Sequence, residues 1–297
     1  MLSIDRVLTL VDPSTTTPRA LDQALVLADR CAASVHVLPF PNGGTSAGAH
    51  THHARLQQLV EERRKHLGVT PAVAVPSTPQ ESSASDASAP LEYTRDHDIG
   101  LIIADTPADR GPIPALASSP MRALAEQADV PLFVVAHHPA AAHFRRILVP
   151  TDFSDHAQSA FEHAKELADL YGAELDVLHV MERPQYVALS ATDMLALSDA
   201  TLPERNAQRR IDDLIKTAGG PDVPIRTHFR HGDAADQICH FADEHPIDLV
   251  VLSTHGVISR RHHPLGNVAD KVLRRVKTPV FLTRAFGRSL VAAQSSA

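Results

Sequence analysis

A chain of 297 residues, 43% hydrophobic and 21% charged, has the balance of an ordinary folded protein and the length of about two domains. Its formal charge of -7 opposes an extensive nucleic-acid footprint, although Arg260, Arg261, Arg274, Arg275 and Lys277 make the last third locally basic. No apolar run approaches the roughly 20 residues that cross a bilayer, Met1 to Val11 lacks the features of a leader, and Cys31 and Cys239 have no CxxC spacing, so a cytoplasmic protein without membrane partner or structural disulfide is expected.

In chain order, the first half offers five short apolar runs of strand length: Val7 to Val11, Ser34 to Phe40, Ala72 to Val75, Leu101 to Ala104 and Pro131 to Ala136. Two stretches between them, Pro41 to Ala49 and Pro76 to Ala89, are rich in Pro, Gly, Ser and Ala and read as loose. After a joining segment, Ala136 to His143, five more runs follow: Ile147 to Val149, Glu174 to Val180, Pro224 to Phe229, Leu249 to Ser253 and Pro279 to Thr283. Amphipathic stretches with helical spacing separate the runs, clearest at Ala160, Ala164, Leu167 and Ala168 and again at Ile211, Leu214 and Ile215.

The two halves are copies. Arg6 to Phe40 aligns without a gap on Arg146 to Val180, with about twelve identities that include Asp12 with Asp152 and Leu27-Ala28-Asp29 with Leu167-Ala168-Asp169. Further on, Gly100 to Ala104 matches Asp248 to Leu252, and Val130 to Val134 matches Thr278 to Leu282, which makes the second copy about eight residues longer in its middle. Strand and helix alternate, and several strands are nearly continuous in Val, Ile and Leu, as strands covered on both faces must be. The predicted fold is therefore α/β and Rossmann-like: two tandem open-twisted parallel five-stranded sheets with helices on both faces. The expected units are residues 1–140, residues 141–287 and a flexible tail over 288–297. Ligands in such sheets gather beyond the carboxyl ends of the strands where strand order reverses.

One stretch suggests chemistry. The strand Leu249 to Ser253 ends in Ser253-Thr254-His255-Gly256, nine residues intervene, and Gly266-Asn267 opens a helix running towards Val276. Glycine lets backbone N–H groups approach a phosphate, and a helix N-terminus adds unpaired donors and partial positive charge. This pattern resembles the universal stress protein family, whose nucleotide-binding members carry Gly-x2-Gly-x9-Gly followed by Ser or Thr. The resemblance extends to Val149-Pro150-Thr151-Asp152-Phe153-Ser154, to His179-Val180 and to Thr278-Pro279-Val280, and covers nearly the whole chain as a tandem pair. Leu265-Gly266-Asn267 beside a degenerate first copy looks closest to the E-type tandem members.

The resemblance implies the adenine-nucleotide alpha-hydrolase-like form of the fold and a stress-response binding and signalling module. It places Asp152, introduced by Pro150 and Thr151, and Val180 beside adenine and ribose, and Gly256, Gly266, Asn267 and Val268 around the phosphates of ATP with a divalent cation. Ser253 stands where the first glycine is expected, and Asn267 replaces the hydroxyl residue, with the helix N-cap preference and donating amide of asparagine. In the first copy Asp105, Ala108, Ser118 and Ser119 fall opposite Ser253, Gly256, Gly266 and Asn267, and a carboxylate there would repel phosphate, so nucleotide is expected in the second domain only.

Plainer readings stand beside these. The glycines also suit turns and helix caps, and Asp12 and Asp152 could merely cap the following helices. His50, His52, His53, His262 and His263 read as surface histidines rather than metal ligands, and His255 as a residue whose backbone matters more than its ring. No catalytic set is expected, and the sequence lacks the GxxxxGK[ST], GxSxG and GxGxxG patterns. A slow ATPase and a carrier of an apolar ligand remain as alternatives. The last strand of each copy is a sheet edge, and the resemblance implies that the two pair into a pseudo-dimer, with a homodimer open.

Overall fold

The computed structural model describes residues 2–12, 15, 18–40, 49–76, 87–105, 120–135, 143–181, 202–256 and 265–291. The first copy runs β1 (Arg6–Val11), α1 (Arg19–Cys31), β2 (Ser34–Pro39), α2 (Ala49–Leu67), β3 (Val73–Ala74), α3 (Ser88–Asp96), β4 (Leu101–Asp105), α4 (Pro120–Gln127) and β5 (Leu132–Val135). The second runs β6 (Arg146–Pro150), α5 (Asp155–Tyr171), β7 (Glu174–Met181), α6 (Leu202–Thr217), β8 (Ile225–His231), α7 (Ala234–Glu244), β9 (Leu249–Ser253), α8 (Asn267–Arg275) and β10 (Val280–Thr283). All ten predicted strands form, within a few residues of the expected bounds.

Strand order is β3-β2-β1-β4-β5-β10-β9-β6-β7-β8, one ten-stranded sheet. Every adjacent pair is parallel except β5 with β10, which meet antiparallel with Phe281 opposite Phe133. Each half is thus a parallel five-stranded sheet, and the final strands join them as the family resemblance implies. Successive strand side chains point to opposite faces. Val7, Val35, Ile103, Phe133, Ile147, Val177 and Phe281 accordingly pack under α1, α2, α5 and α6, whereas Leu8, Ile102, Leu132, Leu148, Val250 and Leu282 pack under α3, α4, α7 and α8. Both cores run through both copies.

The repeat extends to helix ends. Helix α5 stops at Gly172, φ 67°, and α1 at the equivalent Ala32, φ 54°, with the next amides, of Ala173 and Ala33, bonding back to Ala168 and Ala28. The turn is the same left-handed cap, natural for glycine and strained for alanine. Across the join, Gln23 of α1 donates to the Tyr171 hydroxyl of α5 at 2.8 Å, and Phe144 packs edge-on to the Tyr171 ring.

Two expectations differ from the structure. The loose stretches lie largely outside the described residues, but Ala49 begins α2 and Ser88 begins α3, so both merge into helices. Residues 288–291 are not a tail: Leu290 is fully buried, its N–H donates to His163 Nε2 at 3.1 Å, Val291 bridges Leu2, and Arg288 pairs with Asp98 at 2.6 Å. One buried leucine and an N-terminal partner hold this segment, and a polar local sequence hides both. Just past the first of these stretches, His53 lies on α2 and bonds the Pro76 carbonyl at 3.1 Å. Both cysteines are free thiols.

Candidate functional site

In the second copy β6 lies between β7 and β9, so the loops leaving the carboxyl ends of β6 and β9 diverge at the reversal of strand order. Pro150 closes β6, Thr151 is buried and Asp152 is exposed. Asp152 Oδ1 accepts the Ser154 amide at 3.0 Å and its hydroxyl at 2.6 Å, while Ser154 Oγ accepts the Ala157 amide at 3.1 Å. Ser154, not Asp152, is therefore the N-cap of α5, and Asp152 orders the turn before it.

Between them Phe153 has φ 62°, a left-handed conformation that costs a non-glycine residue about 1–2 kcal/mol. Its amide donates to Thr151 Oγ1 at 3.0 Å, its ring lies 4.4 Å from that of His179, and the Arg210 guanidinium of α6 sits 4.1 Å above it. His179 Nδ1 donates to the Thr151 carbonyl at 2.8 Å. Val180 follows His179 near the end of β7, partly buried against the same core as Val268.

The β9 loop meets this turn. A Cβ on Gly256 would collide with Asp152 Oδ2, and one on Gly266 would come within 2.9 Å of the Thr254 carbonyl oxygen, which accepts the Gly266 amide at 2.7 Å. At Gly266 the backbone leaves no room for a side chain, whereas at Gly256 it is the Asp152 carboxylate that would have to move. Ser253 Oγ accepts the His255 amide at 3.4 Å, and buried Thr254 accepts the Ala285 amide at 3.3 Å. Pro150, Thr151, Asp152, Ser253, Gly256, Gly266, Asn267 and Val268 are consequently brought to one end of the sheet.

One expectation about the cradle needs correcting. Gly266, not Asn267, is the N-cap of α8; Asn267 is the first helical residue, and its side chain is exposed. Glycine offers no side-chain oxygen, so among the described residues α8 begins without a side-chain cap for its first-turn amides. Further along α8, Lys271 bonds Asp233 at 2.9 Å, Arg274 bonds Asp270 at 2.9 Å and Arg275 pairs with Asp236. Of the basic residues singled out in the sequence, Arg274, Arg275 and Lys277 thus each pair with a carboxylate, Lys277 with Asp243 at 3.7 Å.

The first copy differs at the corresponding place. Asp105 ends β4, its Oδ2 accepts the Ala20 amide of α1 at 3.1 Å, and its buried Oδ1 has no partner among the described residues. Burial pushes this carboxyl up to about 7, against the lowering effect of the Ala20 amide. Here the start of α1, with Pro18 as a cap that makes no side-chain bond, is served by a carboxylate from the strand end. Ala108, Ser118 and Ser119 lie outside the described residues, as do Arg260, Arg261, His262 and His263. Among the described residues no group of three or more His, Cys, Asp or Glu side chains could hold a metal ion, and no helix is long and apolar enough to cross a membrane.

Sequence reasoning carried Thr254, Phe153 and His179 only as members of the matched motifs, with no role in the site, and did not foresee Arg210 at all. A left-handed phenylalanine leaves no mark in residue type, and Arg210 reaches the turn from a helix more than fifty residues away. Only the Asp152 to Ser154 spacing, that of an Asx turn entering a helix cap, could have signalled a fixed turn.

The universal stress protein family model matches residues 3–136 and again 143–284. The chain belongs to the universal stress protein family, in a tandem two-domain arrangement. A universal stress protein of Methanocaldococcus jannaschii is 30% identical over 141 residues, which cover 48% of this chain and 82% of that protein. A universal stress protein of Bacillus subtilis is 27% identical over 147 residues, 48% of this chain and 99% of that protein. Two solved structures share the fold over both copies: a functionally unknown protein from Pseudomonas aeruginosa PAO1, at TM-score 0.70 and 19% identity over 95% of this chain and 92% of that one, and a universal stress protein from Archaeoglobus fulgidus, at TM-score 0.57 and 17% identity over 94% and 96%.

Proposed function

We propose that the protein is a stress-response binding and signalling module whose second copy takes one ATP with a divalent cation. The observation that carries this reading is the uncapped start of α8, placed beside the Asp152 turn at the reversal of strand order. The amides of Asn267 and Val268 would hold phosphate oxygens, and Asp152, an exposed acceptor, suits the adenine amino group or a ribose hydroxyl. Val180 and Val268 supply apolar surface. A divalent cation would offset repulsion between phosphates and the nearby carboxylate, which makes ATP binding magnesium-dependent. The first copy takes no nucleotide, because Asp105 sets a carboxylate at the equivalent strand end.

Asn267→Asp tests the cradle. The residue is exposed, and aspartate suits the first turn of a helix, so folding should be unaffected or slightly favoured. Isothermal titration calorimetry with magnesium and ATP should show affinity at least about tenfold weaker, a loss of about 1.4 kcal/mol. Unchanged affinity in a variant of undiminished melting temperature would remove α8 from the site.

A further inference from the structure

We propose that Phe153, His179 and Arg210 act together as a clamp that holds the Asp152 carboxylate in its ligand-facing position. The proposal rests on the nucleotide reading of the second copy and adds positioning residues to it. Phe153 keeps a backbone conformation it would not choose alone, and it keeps it at the residue next to Asp152. Each side of the turn is braced. Thr151 Oγ1 takes the Phe153 amide, His179 fixes the Thr151 carbonyl and packs on the Phe153 ring, and Arg210 covers the ring from α6. The carboxylate so placed has one oxygen committed to Ser154 and the other directed at Gly256, on the loop that leads to the cradle.

Comparison of the copies supplies an independent reason. Asp12 matches Asp152, yet Val11, Pro13 and Pro39 stand where Thr151, Phe153 and His179 stand in the second copy. The copy whose cradle glycines are replaced therefore also lacks the hydroxyl, the aromatic ring and the imidazole of the clamp. A turn required only for folding would have been needed in both, since β1 and β6 enter equivalent helices. Arg210 is exposed, and a cation over an aromatic face gains little stability there. Its contribution should consequently show in the orientation of the turn more than in global stability.

The test uses the full-length chain and the variants Arg210→Ala, Arg210→Lys and Phe153→Gly. The last removes the ring and relieves the left-handed strain, which keeps it folded. Two quantities are read: hydrogen exchange of the Ser154 amide in ligand-free protein, and affinity for ATP with magnesium. The clamp predicts exchange at least about tenfold faster in Arg210→Ala and Phe153→Gly, an ATP affinity about tenfold weaker in both, melting temperatures close to that of the parent, and near-parental behaviour of Arg210→Lys, which retains the cation. Unchanged Ser154 exchange in both variants overturns the proposal. So does weakened affinity in Arg210→Ala with unchanged exchange, which would make Arg210 a direct ligand contact. If the parent chain binds no ATP, the nucleotide reading fails by itself, and Ser154 exchange still decides whether the clamp holds the turn.

Discussion

Asp105 and Ser253 occupy the same place in the two copies, and this single difference changes what the strand end offers. The Asp105 carboxyl is buried with one oxygen on the Ala20 amide and the other without a partner among the described residues, and it is held up to about 7 against an ordinary value of 3.8. A carboxyl whose folded value is raised binds its proton more tightly in the native state. Its stabilising effect is complete below about pH 4 and is lost as pH rises through about 7. Solvent reaches part of the side chain, so roughly 1–3 kcal/mol is at stake rather than the full linkage value. Asp105→Asn keeps an acceptor for Ala20 and removes the charge; denaturant unfolding between pH 4 and 8 should show a flatter profile and a more stable variant at pH 8. A parental slope in the variant would refute this assignment. The repeat alignment already placed Asp105 opposite Ser253, because charge is legible in sequence, whereas its use at the start of α1 is not.

At the scale of elements, the strands and their order of appearance could be read because fully buried parallel strands leave unbroken runs of Val, Ile and Leu. Helix caps were less legible. Asn267 has the stronger cap preference, yet Gly266 takes the position because the Thr254 carbonyl lies too close for a side chain there. The matching ends of α1 and α5 give a direct measure of such constraints. Ala32 adopts the left-handed conformation that Gly172 adopts in the other copy, where nothing but conformation favours glycine. Ala32→Gly should therefore stabilise the chain by about 0.5–1.5 kcal/mol in denaturant unfolding. Destabilisation would mean that the Ala32 methyl makes contacts worth more than the strain.

Across the whole molecule, one sheet and two cores run through both copies, so neither copy is independent of the other. That the last strands need a partner was legible from their edge position, and the family resemblance implied the β5–β10 pairing itself, while the packing of residues 288–291 was not legible, since it depends on Leu2, Asp98 and His163, all distant in sequence. Ending the chain after Gly287 removes the fully buried Leu290 and should cost about 2–4 kcal/mol, most of it from apolar burial and little from the exposed Arg288–Asp98 pair. A truncated chain of parental stability would show that the segment does not dock. The larger consequence of duplication is a division between copies that share a fold and differ at the strand ends where ligands gather. Calorimetric titration of the full chain with magnesium and ATP tests that division most directly. The account predicts one ATP per chain, abolished by Asp152→Ala and unaffected by Asp12→Ala; two sites per chain, no binding, or a single site that is lost with Asp12 would contradict it.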